Sequence, residues 1–187
     1  MSEIELIVVG TAAVLFVFFV HELGHLLMAR YLDVGVLGIS MGFGPEIVGF
    51  VDRLGTRWSL AAIPFGAYLK MVDENGQSPG SIASARLDVD QKSKSLSSRS
   101  LVQRAAIFGA GSAANILLAL VVYCFSAIYF WGTLTWPNKI DLDSALVLIF
   151  CSLSFLVGVF NLLPIPSFDG AKLMVLGSEW LRGNKTS

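Results

Sequence analysis

The residues best suited to chemistry lie inside the most apolar part of this chain. From Val14 to Arg30 the sequence reads VLFVFFVHELGHLLMAR, and His21 and His25 are the only two histidines among its 187 residues. Four apart on a helix, both imidazoles project from one face, one turn apart, where they can share a single Zn²⁺. Glu22 is poorly placed to be a primary ligand but well placed to act as general base on a water at the metal, as in the H-E-x-x-H arrangement. The simpler alternative is a pair of core histidines with a glutamate held by a basic partner. In a membrane span, however, each ionisable group costs on the order of 3 kcal/mol at the centre. Three together need a compensating charge, and zinc supplies one.

A catalytic zinc takes three protein ligands and keeps one position open. Met28 and Tyr31 stand where the extended H-E-x-x-H motif would need a glycine and a third histidine, so the third ligand is expected to be a carboxylate. The later segment FNLLPIPSFDGAK places Asp169 just past Pro164 and Pro166, at the same membrane depth as the histidines. Asp33 competes, but it follows its own helix too closely to fold back easily.

The elements that must position these groups are membrane spans. Hydrophobic residues make up 55% of the chain and charged ones 14%, with a mean hydropathy of +0.70; soluble domains carry about a quarter charged residues. Residues 6–28, 105–131 and 145–163 are each long and apolar enough to cross a hydrocarbon core of about 30 Å. The first does not read as a cleaved secretory signal, because Ser-Glu-Ile-Glu precedes it in place of a basic segment. Nine of the thirteen lysines and arginines lie from Arg30 to Arg104, one in the turn from Gly132 to Ser144 and three after Leu163. The positive-inside rule then puts the long loop and the C-terminus in the cytoplasm and the N-terminus outside. The net charge of −1 and the absence of a compact basic stripe give no sign of nucleic-acid binding. Cys124 and Cys151 fall inside spans and read as packed small side chains.

Between the first two spans, residues 46–71 are aromatic and aliphatic, broken by Pro64 and Gly66, and contain the turn-like DRLGT. They read as two to four short antiparallel strands, too apolar for free solution and therefore expected to dip into the bilayer against the helices. Residues 72–100 are polar and serine-rich and read as a flexible cytoplasmic loop. In the second span Gly109, Gly111, Ser112, Ala113 and Ala114 form a small-residue face for a neighbouring helix. Asn115 and Asn161 are amides at membrane depth, suited either to interhelical hydrogen bonding or to a functional role. The whole is expected to be a polytopic α-helical membrane protein, a single core of three transmembrane helices with a membrane-associated β-hairpin between the first two.

HELGH, followed far downstream by NLLPIPSFDG, with MGFGP, IPFGAYLKM and the G-x-x-x-N of GSAAN between them, resembles the site-2 protease family of intramembrane zinc metalloproteases. GFG and PFGAYLKM look most like the bacterial branch that cleaves anti-sigma factors and remnant signal peptides. The resemblance implies zinc on His21, His25 and Asp169, with Glu22 as catalytic acid/base and Asn161, with Asn115, on the substrate. It also implies that the hairpin, through the segment with Gly66 and Tyr68, adds the substrate as an extended strand. That agrees with the physics, since a helical substrate hides its peptide bonds until it is unwound and paired with a sheet edge. The expected partners are transmembrane segments of single-span proteins or signal peptides, and the lipid of the cytoplasmic membrane. The bacterial branch typically carries PDZ domains between the second and third spans, and a fourth span after the Asp-Gly pair. Here only Gly132–Ser144 fills the first place, and Ala171–Leu181 is too short for the second. Phe168 and Ala171 replace the more usual leucine and glycine around Asp-Gly. The chain therefore reads as a minimal three-span core, whether as a natural minimal member, a truncated piece or the product of an internal deletion. A silent membrane-binding module would have no need of Glu22, and a zinc transporter or sensor would need more polar groups along its spans than Asn115 and Asn161.

Overall fold

A computed structural model describes residues 2–72, 94–132 and 142–183. Helix α1 runs from Glu3 to Tyr31 and opens with a capping box, in which the Ser2 side chain accepts from the Glu5 N–H and the Glu5 carboxylate accepts from the Ser2 N–H. Strands β1 (Val36–Val51) and β2 (Arg57–Met71) follow. Helix α2 spans Leu101–Gly132, α3 Leu142–Phe160 and α4 Asp169–Leu181.

Helices α1 and α2 are long and apolar enough to cross a membrane, yet only 11% and 33% of their most apolar stretches are buried within the protein. Such surface left in water would be an aggregation site, whereas lipid accepts it. The continuous apolar helix of α3, Ala145–Phe160, is shorter. It stops at Phe160 because Pro164 and Pro166 lack backbone donors and the chain turns there. A third span over 145–163 is therefore three residues shorter as helix at that end.

The hairpin is more bent than a plain pair of strands. Gly42, Gly44 and Gly66 adopt φ of +88°, +89° and +87°, a region that side chains with Cβ avoid. These bends fold the ribbon so that Ile39 has Leu69 on one side and Trp58 on the other, while Phe50 also pairs with Trp58. Ala67–Met71 pair only with Val36–Met41 among the described residues, which leaves their other edge open. The core lies where the hairpin base meets the helices, with Leu26, Ala29, Val34, Val36 and Ile107 buried together. The far half of β1 is exposed, including Phe43, Ile47, Val48 and Phe50.

The expected loop at 72–100 is only partly described, because residues 73–93 lie outside the described residues. Its two ends are ordered and not free. Val72 is buried, the Val72 N–H donates to the Gly35 carbonyl, the Gly35 N–H to that of Lys94, and the Leu96 N–H to that of Val72. Composition alone could not have shown that these polar ends continue the backbone pairing of the hairpin base. Most of the turn between the second and third spans, residues 133–141, also lies outside the described residues. The small-residue face of α2 is narrower than expected: Ala113 is exposed and a Cβ at Gly109 would meet open space.

Candidate metal centre and active site

His21 and His25 face α2 because α1 and α2 approach unusually closely beside them. A Cβ at Gly24 would lie 2.6 Å from the carbonyl oxygen of Ala110 and 2.8 Å from the Ala114 Cβ. The glycine between the histidines is thus what lets the second helix reach them. Gly111 is its counterpart on α2, where a Cβ would overlap the Nε2 atoms of both histidines.

Asp169 arrives from the other end of the chain on a tightly closed turn. Asn161 ends α3, its amide donating to the Val157 carbonyl at 2.9 Å and its main-chain carbonyl accepting from the Gly170 N–H at 2.7 Å. Gly170 packs so closely on Leu162 and Leu163 that any side chain would overlap their carbonyls. Ser167 takes a φ of +79° in this turn, a costly conformation for a residue with Cβ. The result is that Asp169, the first residue of α4, is buried against the histidines.

The three donors meet at one point. Asp169 Oδ2 lies 3.0 Å from His21 Nε2 and 2.9 Å from His25 Nε2, and the two Nε2 atoms are 3.1 Å apart. Asp33, the competitor, sits on the surface with Lys94 and Arg99 nearby at 3.5 and 3.7 Å, its side chain 72% exposed. The Lys172 ammonium donates to Asp169 Oδ1 at 2.9 Å and lies over the Phe108 ring at 5.2 Å.

These groups line a cavity of about 260 Å³, whose walls are Phe18, His21, Glu22 and His25 of α1, Gly66–Leu69 and Met71 of β2, Phe108 of α2, and Asn161, Ser167–Asp169 and Lys172. Gly66, Tyr68 and Asn161 thus reach the cavity. Asn115 does not: it is fully buried behind His21, because helices α2 and α3 close over it. Lys172 was not singled out from the sequence, although a lysine three residues after Asp169 at the start of a helix is a readable signal.

The sequence profile of Peptidase family M50 matches residues 9–142 and 135–187. The chain belongs to that family. M50 is the site-2 protease family that the motifs resemble, and its metal is zinc. Among curated relatives, a candidate zinc metalloprotease of Brucella suis is 40% identical over 116 residues, 60% of this chain and 31% of its own length. One of Agrobacterium fabrum is 39% identical over 107 residues, 56% of this chain and 28% of its own. Protease RseP of Yersinia pestis is 38% identical over 104 residues, 56% of this chain and 21% of its own. Each match thus takes in under a third of the relative.

The donor set fits the M50 metal. Tetrahedral zinc at about 2.0–2.1 Å from its ligands separates them by roughly 3.3 Å, close to the 2.9–3.1 Å found between these three atoms. The Nδ1–H of His25 donates to the Ile107 carbonyl at 2.7 Å, which leaves the lone pair on Nε2, facing the cluster. Three buried potential ligand atoms this close together suit a cation between them.

Proposed function

We propose that this chain is the core of a zinc-dependent endopeptidase that cuts transmembrane segments of single-span proteins, including anti-sigma factors or remnant signal peptides, in regulated intramembrane proteolysis. Three spans, 6–28, 105–131 and 145–163, hold it in the cytoplasmic membrane with the N-terminus outside and the C-terminus in the cytoplasm. The observation that carries this reading is the convergence of two histidines and a carboxylate on the wall of a cavity that also holds Glu22 and an open strand edge.

His21, His25 and Asp169 would hold the zinc, which when bound supplies a Lewis acid for the scissile carbonyl and eases deprotonation of water near neutral pH. Glu22 takes the proton of the attacking water and returns it to the leaving amide nitrogen, so that one carboxylate serves as base and then as acid. The open edge of Ala67–Met71 pairs with substrate unwound from its helix. Its backbone groups replace the hydrogen bonds the helix gives up, and Asn161, which also lines the cavity, helps hold the strand. Lys172 holds the Oδ1 side of Asp169, leaving Oδ2 toward the histidines. The exposed apolar half of the hairpin rests in lipid, beside the route a membrane-embedded substrate takes.

Purified protein in detergent or liposomes, given single-span substrates, should cleave them near their cytoplasmic ends and stop when a zinc chelator is added. Cleavage that survives complete metal removal would sink the proposal.

A further inference from the structure

His25 and His21 are held from behind in different ways. The acceptor behind His25 is a backbone carbonyl, which cannot turn away. Behind His21 Nδ1 stands a side chain, the Asn115 amide, whose nitrogen lies 3.4 Å away while its oxygen is buried without a hydrogen-bond partner. An amide N–H aimed at Nδ1 requires the lone pair there and therefore a proton on Nε2. That proton would point at His25 Nε2 and Asp169 Oδ2, into the space the metal needs. Turning the amide by half a rotation exchanges oxygen and nitrogen with almost no change of shape. The oxygen, now without a partner, then accepts from Nδ1–H and the lone pair moves to Nε2.

We propose that Asn115 is a positioning residue for the metal site, its amide oxygen accepting the Nδ1–H of His21 and so fixing the Nε2 lone pair toward the ion. This rests on the metal-site reading of His21, His25 and Asp169. Gly111 and Asn115, one turn apart on α2, then divide one task. Gly111 leaves the front of both imidazoles clear, and Asn115 holds the back of one of them. Asn115 is also fixed in place, since the Ser154 hydroxyl donates to its main-chain carbonyl at 2.9 Å and a Cβ at Gly158 would meet its own Cβ at 3.4 Å. Because that tie uses the backbone, it survives replacement of the side chain.

The test compares Asn115→Ala, Asn115→Asp and His21→Ala in the whole chain. It measures zinc retained against a competing chelator, the visible absorption of the Co²⁺ form, and thermal unfolding of the metal-free form. Asn115→Ala should retain zinc about 10- to 100-fold more weakly, the usual loss on removing a histidine's outer partner, with altered Co²⁺ bands and unchanged metal-free unfolding. Asn115→Asp offers only acceptors and should hold zinc at least as tightly as the native chain. Native retention in Asn115→Ala would overturn the proposal, as would an Asn115→Asp variant as weak as the alanine, which would mean the amide donates. Native retention in His21→Ala would overturn the metal-site reading itself and the inference with it.

Discussion

The junction of α1, α2 and α4 and the β-hairpin beside it solve opposite problems with the same residue, glycine. At the junction, Gly24, Gly111 and Gly170 are places where no Cβ fits, so backbones and imidazoles meet at distances that permit one arrangement. In the hairpin, Gly42, Gly44 and Gly66 serve first for their dihedrals, bending a ribbon whose far half buries little, although at Gly42 and Gly66 a Cβ would also collide with Ile63 and Phe43. The junction is built to hold three atoms within tenths of an ångström. The hairpin is built to present an edge. Beyond the apolar core at its base, it is fastened through one polar node, where Arg30 pairs with Asp52, Arg30 also donates to the Thr56 hydroxyl at 3.1 Å, and Trp58 Nε1 donates to Asp52 at 3.0 Å. Under the proposed function, the contrast separates a site that must not move from a surface that must accept a guest.

Breaking the junction should have the largest effect. Asp169→Ala should abolish both zinc retention and cleavage, while Asp33→Asn leaves both near native levels, as read by metal analysis and substrate cleavage on the same purified samples; the reverse pattern would make Asp33 the ligand. Next comes Glu22→Gln, which removes a base without removing a ligand. Cleavage should fall about 10²- to 10⁴-fold, the usual contribution of a general acid–base, with zinc content unchanged.

The hairpin should respond more gently and with a pattern. A proline deletes one N–H, so a proline scan of Ala67–Met71 should give positions, spaced by two, where cleavage drops at least about tenfold while zinc stays bound, since alternate N–H groups face the open edge. Alanine at those positions should keep most activity. Equal harm from both scans would point to side-chain pockets instead.

The smallest change is expected at the polar node. Hydrogen bonds from Trp58, from Arg30 and from the Thr56 and Leu54 N–H groups hold the Asp52 carboxyl well below its ordinary value. A depressed carboxyl stabilises above its unfolded pKa of about 3.9 and loses that contribution as pH falls through the folded value. Asp52→Asn should therefore speed hydrogen exchange of residues 52–58 at pH 7, and the difference from the native chain should shrink below about pH 4. Cleavage should change less than in the proline scan.

What the sequence disclosed divides along the same line. HELGH is local, so its two donors could be placed on one helix face from spacing alone, and the chemistry of a carboxylate at matching depth singled out Asp169. The hairpin was legible over 46–71 because its turn and aromatic content are local too, but it forms two long strands rather than two to four short ones, and β1 starts at Val36, in a glycine-rich stretch that did not read as strand. The contacts across long separations were not. Nothing in GSAAN says that its glycine faces two imidazoles or that its asparagine backs His21, since both facts depend on how two helices cross. The ordered ends of the polar loop escaped for the same reason: Val72 and Leu96 pair through backbone, which composition does not encode.

The separation of 148 positions from His21 to Asp169 carries a consequence for the order of assembly. Synthesis proceeds from the N-terminus at about 5–20 residues per second, so a nascent chain carries its two histidines for several seconds before the carboxylate exists. Under the proposed ligand set, a chain halted between His25 and Asp169 has a base and two donors but no complete site, a difference that zinc retention by chains ended just before and just after Asp169 would reveal. Under that reading the site stays incomplete among the nascent membrane segments around it until α4 is made.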